Sequence, residues 1–351
     1  MTIGFYIGQL LLFLFYSTII DGLKIDKKVS RLILFLITLT HILVIQSFID
    51  TYKLLDSIAY IYEFKNSKFL SFSEIIREGI DREWGVGFML YNKAVSYITD
   101  DSHLYYMITY VIIDTPFFWY FYKVSSNYKL SLLLYLFHPM LFWDSNYILR
   151  QHMAISLSAI VIYYLNIKKI AIPLTILAAS MHLSALILLP FLIWKNFKIS
   201  KTSFATITII VGLSLFVMNT FLIGIIAQSD RYSGYLSAEK SSNLVPFLLL
   251  CPLVILLFFK RKLLYKELQE SFLFEFLLYG LVITLFTMNT AFGRVTTYFV
   301  AFVPVAVSLL YKFANKNELL LDCYVLFLFA IEGFMLYLNC TNLFVGNLIQ
   351  K

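Results

Sequence analysis

The chain has 351 residues, of which 60% are hydrophobic and 14% charged, and its mean hydropathy is +0.80. A water-soluble domain of this size needs a charged shell that such a composition cannot furnish, which excludes a soluble enzyme or binding module. The net charge of +7 forms no basic stripe on a polar face, so nucleic acid is not an expected partner; the lysines sit in short loops between apolar runs, as orientation signals do.

Apolar runs near the spanning length of about 20 residues recur from end to end. They cover 3–20, 31–49, 103–122, 130–148, 150–167, 170–194, 202–224, 244–259, 271–290, 295–311 and 319–340. No small-residue cleavage site follows the run 3–20, so it reads as a retained helix and not a signal peptide. Residues 50–102 differ. Through "EIIREGIDREWGVGFMLYNKAVSYITDD" the stretch is polar and aromatic-rich, and Ile75, Ile76, Ile80, Trp84 and Phe88 recur at helical spacing. That pattern predicts amphipathic helices lying on the membrane surface.

The basic loops set the orientation. Lys24, Lys27, Lys28 and Arg31 follow the first run, and further basic clusters recur at Lys123 and Lys129, at Lys260–Lys262, and at Lys312 and Lys316. Placing these in the cytoplasm puts 50–102 and both termini outside. One conflict arises, because Lys168 and Lys169 lie at one end of 170–194 while Lys195, Lys198 and Lys201 lie at the other. A re-entrant segment that enters and leaves on the same side resolves it, with Pro173 and the polar run Ser180–Ser184 marking the break. The expectation is therefore an all-α polytopic membrane protein, one integral domain over 1–351. It has about ten transmembrane helices, a re-entrant segment at 170–194 and outer amphipathic helices at 50–102.

In that arrangement most lysines fall inside, but Arg77, Arg82, Arg150, Arg231 and Arg294 fall outside, against the orientation rule. Guanidinium groups present a planar fork to phosphate and carboxylate. Arg150, Arg231 and Arg294, at or between span ends, thus point to an anionic ligand in an outer vestibule. Asp50 and Glu83 are the acidic candidates there, either able to take a proton from a hydroxyl nucleophile. Glu83 is favoured, since burial beside Trp84 would raise a carboxylate toward the working range. His182, inside the broken segment, competes for the same role. Asp114 or Thr115 is expected to cap a half-helix beginning at Pro116. Cys251, Cys323 and Cys340 make no metal or redox spacing, and no nucleotide, zinc or nicotinamide motif is present. No metal or cofactor is called for.

The stretch "RQHMAISLSAIVIYYLNIKKIAIPLTILAASMHLSALILLPF" resembles the signature of the EpsG-type, Wzy-like family of polysaccharide polymerases. Its elements here are Arg150-Gln151 opening a helix, the basic turn Lys168-Lys169, and His182-Leu183-Ser184-Ala185. Glu83, Gly87 and Phe88 resemble the family's acidic element with one extra residue. Arg294 and Tyr298 resemble its Arg-x-x-x-Tyr element, and Asp50 with Tyr52 keeps the Asp-Tyr spacing only approximately. The resemblance implies a multi-pass protein of the bacterial inner membrane that polymerises undecaprenyl-diphosphate-linked oligosaccharide repeats on the outer face, into O-antigen, capsule or exopolysaccharide. Glu83, Asp50 or His182 would supply the base, and Arg150, Gln151, Arg231, Arg294 and Tyr298 would bind the diphosphate and substrate. A flippase and a chain-length regulator are its expected partners. Two alternatives stay open: a lipid-linked oligosaccharide transporter, and a membrane-bound acyltransferase using His182.

Overall fold

The computed structural model describes residues 3–49, 56–146, 148–197, 199–226, 244–264, 268–288, 291–314 and 319–349. Every regular element among them is helical, as the apolar periodicity predicts. In chain order they are α1 (Ile3–Gly22), α2 (Lys27–Ser47), α3 (Ser57–Ser67), α4 (Phe72–Asp81), α5 (Val86–Ser96), α6 (Ser102–Val124) and α7 (Tyr128–Phe137). There follow α8 (Leu149–Tyr163), α9 (Lys168–Met181), α10 (Leu189–Asn196), α11 (Lys201–Ile226), α12 (Leu244–Leu264) and α13 (Leu268–Thr287). The chain ends with α14 (Thr297–Val300), α15 (Val303–Lys312) and α16 (Leu319–Ile349).

Four of the described helices are long and apolar enough to cross a membrane: Lys27–Ser47, Lys201–Met218, Leu244–Leu263 and Phe292–Lys312. The expected count of about ten is not supported. Hydropathy windows read straight through breaks that the backbone makes. The run 130–148 stops at Phe137, passes through a π turn at Pro139–Trp143 and a 3-10 turn at Asp144–Asn146, and only then opens α8. The reverse error occurs in α6, which continues unbroken through Pro116. No half-helix begins there for Asp114 to cap; its Oδ1 instead accepts the Tyr135 hydroxyl proton at 2.5 Å.

One end of the bundle collects the basic loops and ties them to helix ends. Arg31 donates to the carbonyls of Ser125 and Ser126 at the end of α6, at 3.1 and 3.0 Å, and Lys129 pairs with Asp21 at 3.0 Å. Lys260 donates to the Phe313 carbonyl at 3.3 Å. Cations beside orphan C-terminal carbonyls satisfy both the acceptors and the helix dipole.

The segment 170–194 is a hairpin. α9 leaves that basic end, breaks at His182, and returns through a 3-10 turn (Leu183–Leu188) and α10. Its two feet meet: Asn196 donates to the Leu165 carbonyl at 3.1 Å, and the Lys168 ammonium lies 4.4 Å from the Phe197 ring centre. The return limb is fastened to α13, where the Tyr279 hydroxyl donates to the Ile187 carbonyl at 3.0 Å and Lys195 is paired with Glu275. Cysteines at Lys168 and Phe197, in a background without other cysteines, should therefore be joined by a short bis-maleimide in membranes. Absence of that link would show that the feet are apart.

At the opposite end α3, α4 and α5 form a layer over α6 and α8, where amphipathic helices were expected. A second apolar cluster holds it: Tyr60, Phe64, Phe88, Tyr105, Tyr106, Leu149 and Met153 are all nearly inaccessible. Phe64 stacks on Tyr105 with ring centres 4.3 Å apart. Ser71 and Glu74 close a reciprocal capping box at the start of α4. The apolar residues of this layer divide between two faces. Ile75 and Phe88 are buried, whereas Phe72, Ile76 and Ile80, spaced by four, stand exposed with Phe69.

Candidate functional site

Three stretches distant in sequence meet at the tip of the hairpin. The first is the turn between α4 and α5. After the last helical hydrogen bonds of α4, Glu83 adopts a φ of 58° and Gly85 a φ of 84°. The left-handed slot after a helix is usually taken by glycine, and a side chain there costs about 1 kcal/mol. Glu83 thus occupies a backbone position that does not favour it, a pattern common where a side chain is kept for function. At Gly85 a Cβ would also lie 2.6 Å from the Ser180 carbonyl oxygen and 2.8 Å from that of Met181. The turn can seat on the hairpin only because no side chain intervenes.

The second stretch is the start of α8. Arg150 is half-buried; its Nη1 donates to the Glu83 carbonyl at 2.7 Å, and its Cζ lies 4.6 Å from the Trp84 ring centre. Such a stacked guanidinium gains cation–π attraction. Its Nε is buried without a hydrogen-bond partner among the described residues. The guanidinium also acts on Tyr60 of α3, whose phenol burial pushes up and the Arg150 charge pulls back. Gln151 is buried and donates from Nε2 to the Arg294 carbonyl at 2.7 Å. This bond brings the third stretch, the 3-10 turn Ala291–Thr296 and α14, beside the first two.

The hairpin tip is the centre of the arrangement. The His182 side chain caps the turn after α9, with Nδ1 3.3 Å from the Ser184 backbone nitrogen and 2.6 Å from the Ser184 hydroxyl. Ser184 Oγ in turn lies 3.0 Å from the hydroxyl of Tyr298, which is fully buried. Arg150 and Arg294 are both within electrostatic reach of the His182 ring.

Glu83, Arg150, Gln151, His182, Arg294 and Tyr298 are therefore brought together, and they divide by exposure. Glu83 and Arg294 face solvent and Arg150 half does, whereas Gln151 and Tyr298 are buried and hold the others in place. Burial was the reason for favouring Glu83 as base; it is exposed, so that reason does not hold. Asp50 and Arg231 lie outside the described residues. Arg82 is not a site residue: it bonds Glu63 at 3.1 Å and Glu78 at 2.8 Å within the surface layer. Arg77 stands exposed on α4, beside Glu74.

Sequence reasoning missed Tyr60, and it named Trp84 only as cover for Glu83 and Ser180 only as part of the helix break. Two glycines spaced by two in "EWGVGF" were the available signal, since a Cβ at Gly87 would also clash with Ser180. No curated protein and no solved structure matches the chain. The family model described as the EpsG family matches residues 31–346, a span that contains every element of the site. The chain is a helical membrane protein and belongs to the EpsG family, the polysaccharide-polymerase family that its motifs resemble.

Proposed function

We propose that the protein polymerises oligosaccharide repeats carried on undecaprenyl diphosphate, at the outer face of the bacterial inner membrane. The observation that supports this most is the convergence of Arg150 and Arg294 on the hairpin tip, tied by the Gln151 bond to the Arg294 carbonyl. Two guanidiniums within electrostatic reach of one ring, on backbone tied together by buried Gln151, suit a diphosphate, whose negative charge grows as it leaves the growing sugar chain. The unpartnered Nε of Arg150 is a donor that such a ligand would satisfy.

Glycosyl transfer also needs a base for the acceptor hydroxyl. Glu83, exposed at the rim on the turn that Arg150 grips, is our candidate, with Asp50 as the second carboxylate. The lysine-rich end is placed in the cytoplasm, so the site opens outward. The exposed stripe Phe69, Phe72, Ile76 and Ile80 then lies at the level of the outer headgroups, an apolar surface for the polyprenyl chain to approach along. The surface polymer formed is O-antigen, capsule or exopolysaccharide, with a flippase and a chain-length regulator as functional partners.

Loss of the protein distinguishes this reading from transport. Cells without it should accumulate single repeats on the lipid carrier, reachable from outside by an impermeant sugar-oxidising reagent. Single repeats trapped inside would instead make the protein a transporter.

A further inference from the structure

One edge of the His182 ring has its hydrogen bonding assigned by the backbone. The Ser184 N–H points at Nδ1 from 3.3 Å, and the Ser184 hydroxyl lies 2.6 Å from the same nitrogen. A backbone N–H can only donate, so Nδ1 is an acceptor. A neutral imidazole has a single ring proton, which must then sit on Nε2. The same accounting continues outward. Ser184 donates its hydroxyl proton to Nδ1, and its oxygen accepts the Tyr298 O–H at 3.0 Å. Tyr298 is fully buried, so the chain of donors runs from the protein interior to the ring in one direction. Nε2 has no hydrogen-bond partner among the described residues.

A general base working from Nε2 needs a lone pair there, and this tautomer has none. We propose that His182 is a neutral hydrogen-bond donor. Its Nε2–H joins Arg150 and Arg294 in holding the substrate's diphosphate; the Ser184 backbone N–H fixes its tautomer, and the Ser184 hydroxyl and Tyr298 are the groups that orient the ring. The identity of the anion rests on the polymerase reading; the tautomer does not. The arrangement also explains why the broken helix carries a His-x-Ser spacing. A residue two positions on is the nearest whose backbone N–H and side chain can both reach back to the ring of a capping residue.

Two measurements on the full-length protein in detergent test this. With 15N-labelled histidine and no substrate, the signals lost in His182→Gln should be pyrrole-type for Nε2 and pyridine-type for Nδ1. Ser184→Ala loses the hydroxyl but keeps the backbone N–H, so it should retain the same tautomer with a shifted Nδ1 signal, and Ser184→Thr should restore the unsubstituted shift. The opposite tautomer in the unsubstituted protein overturns the proposal. Binding is then followed with undecaprenyl diphosphate as probe. His182→Gln, whose amide N–H reaches the Nε2 position, should bind within about threefold of the unsubstituted protein. His182→Glu offers a base but faces the anion with like charge, and should bind at least about tenfold more weakly. Equal binding by His182→Glu overturns the donor role. If the expected tautomer is seen but undecaprenyl diphosphate does not bind at all, diphosphate is the wrong ligand. The polymerase reading then falls while the tautomer assignment stands.

Discussion

Replacing Arg150 or Arg294 by lysine should each lower polymer output by about ten- to hundredfold, the loss expected when one charge-assisted hydrogen bond is removed. Lysine keeps the positive charge, so insertion and orientation should be unchanged. It cannot reproduce the geometry around Arg150, which donates to the Glu83 carbonyl at 2.7 Å and stacks 4.6 Å from Trp84 at the same time. A point charge on a flexible stem makes one such contact at a time. Polymer length and amount on gels, normalised to immunoblotted protein, give the measurement. Normal polymer from both variants would reduce the two arginines to interfacial anchors.

Glu83 gives the second large effect, and its backbone makes the test unusually clean. Glu83→Gln keeps shape and hydrogen bonding but cannot take a proton, so it should insert, bind lipid-linked substrate and lose about 10²- to 10⁴-fold in chain growth. Glu83→Gly should lose chain growth equally. Because residue 83 sits at a φ of 58°, glycine also relieves about 1 kcal/mol of backbone cost. That variant should therefore unfold no more easily than the unsubstituted protein, which a thermal shift in detergent would show. Chain growth near the unsubstituted rate in Glu83→Gln would pass the role of base to Asp50.

Several features were legible because charge and polarity leave marks that packing does not erase. Lysines at both ends of 170–194 predicted the hairpin, and the feet do meet at Leu165 and Asn196. The stretch 50–102 was marked by amphipathic spacing, and three helices form in it. Other features were not legible. Helical spacing grouped Ile75 with Ile76 and Ile80 but could not say which face would be covered; the contacts of α5 bury Ile75 and leave the other two exposed. That α6 runs on through Pro116, with Asp114 accepting from Tyr135 of another helix, left no mark in the local sequence. Span boundaries were not legible where apolar composition runs through a backbone break, as at His138–Pro139.

At the site, exposed charges announced themselves and their supports did not. Arg150 and Arg294 stood out by violating the orientation rule. Ser184 stood in the His182-Leu183-Ser184-Ala185 element, but its role did not show, because a serine in an apolar run looks alike whether it caps a turn, bonds a ring or faces lipid. Its role became visible only when His182 and Tyr298 were seen on either side of it.

The central claim is that this chain joins lipid-linked repeats itself. Purified protein in detergent, given oligosaccharide repeats on undecaprenyl diphosphate and no other protein, should produce a ladder of polymers that lengthens with time and should release undecaprenyl diphosphate in step with each linkage. Substrate that binds but never lengthens, with no diphosphate lipid released, would contradict the account.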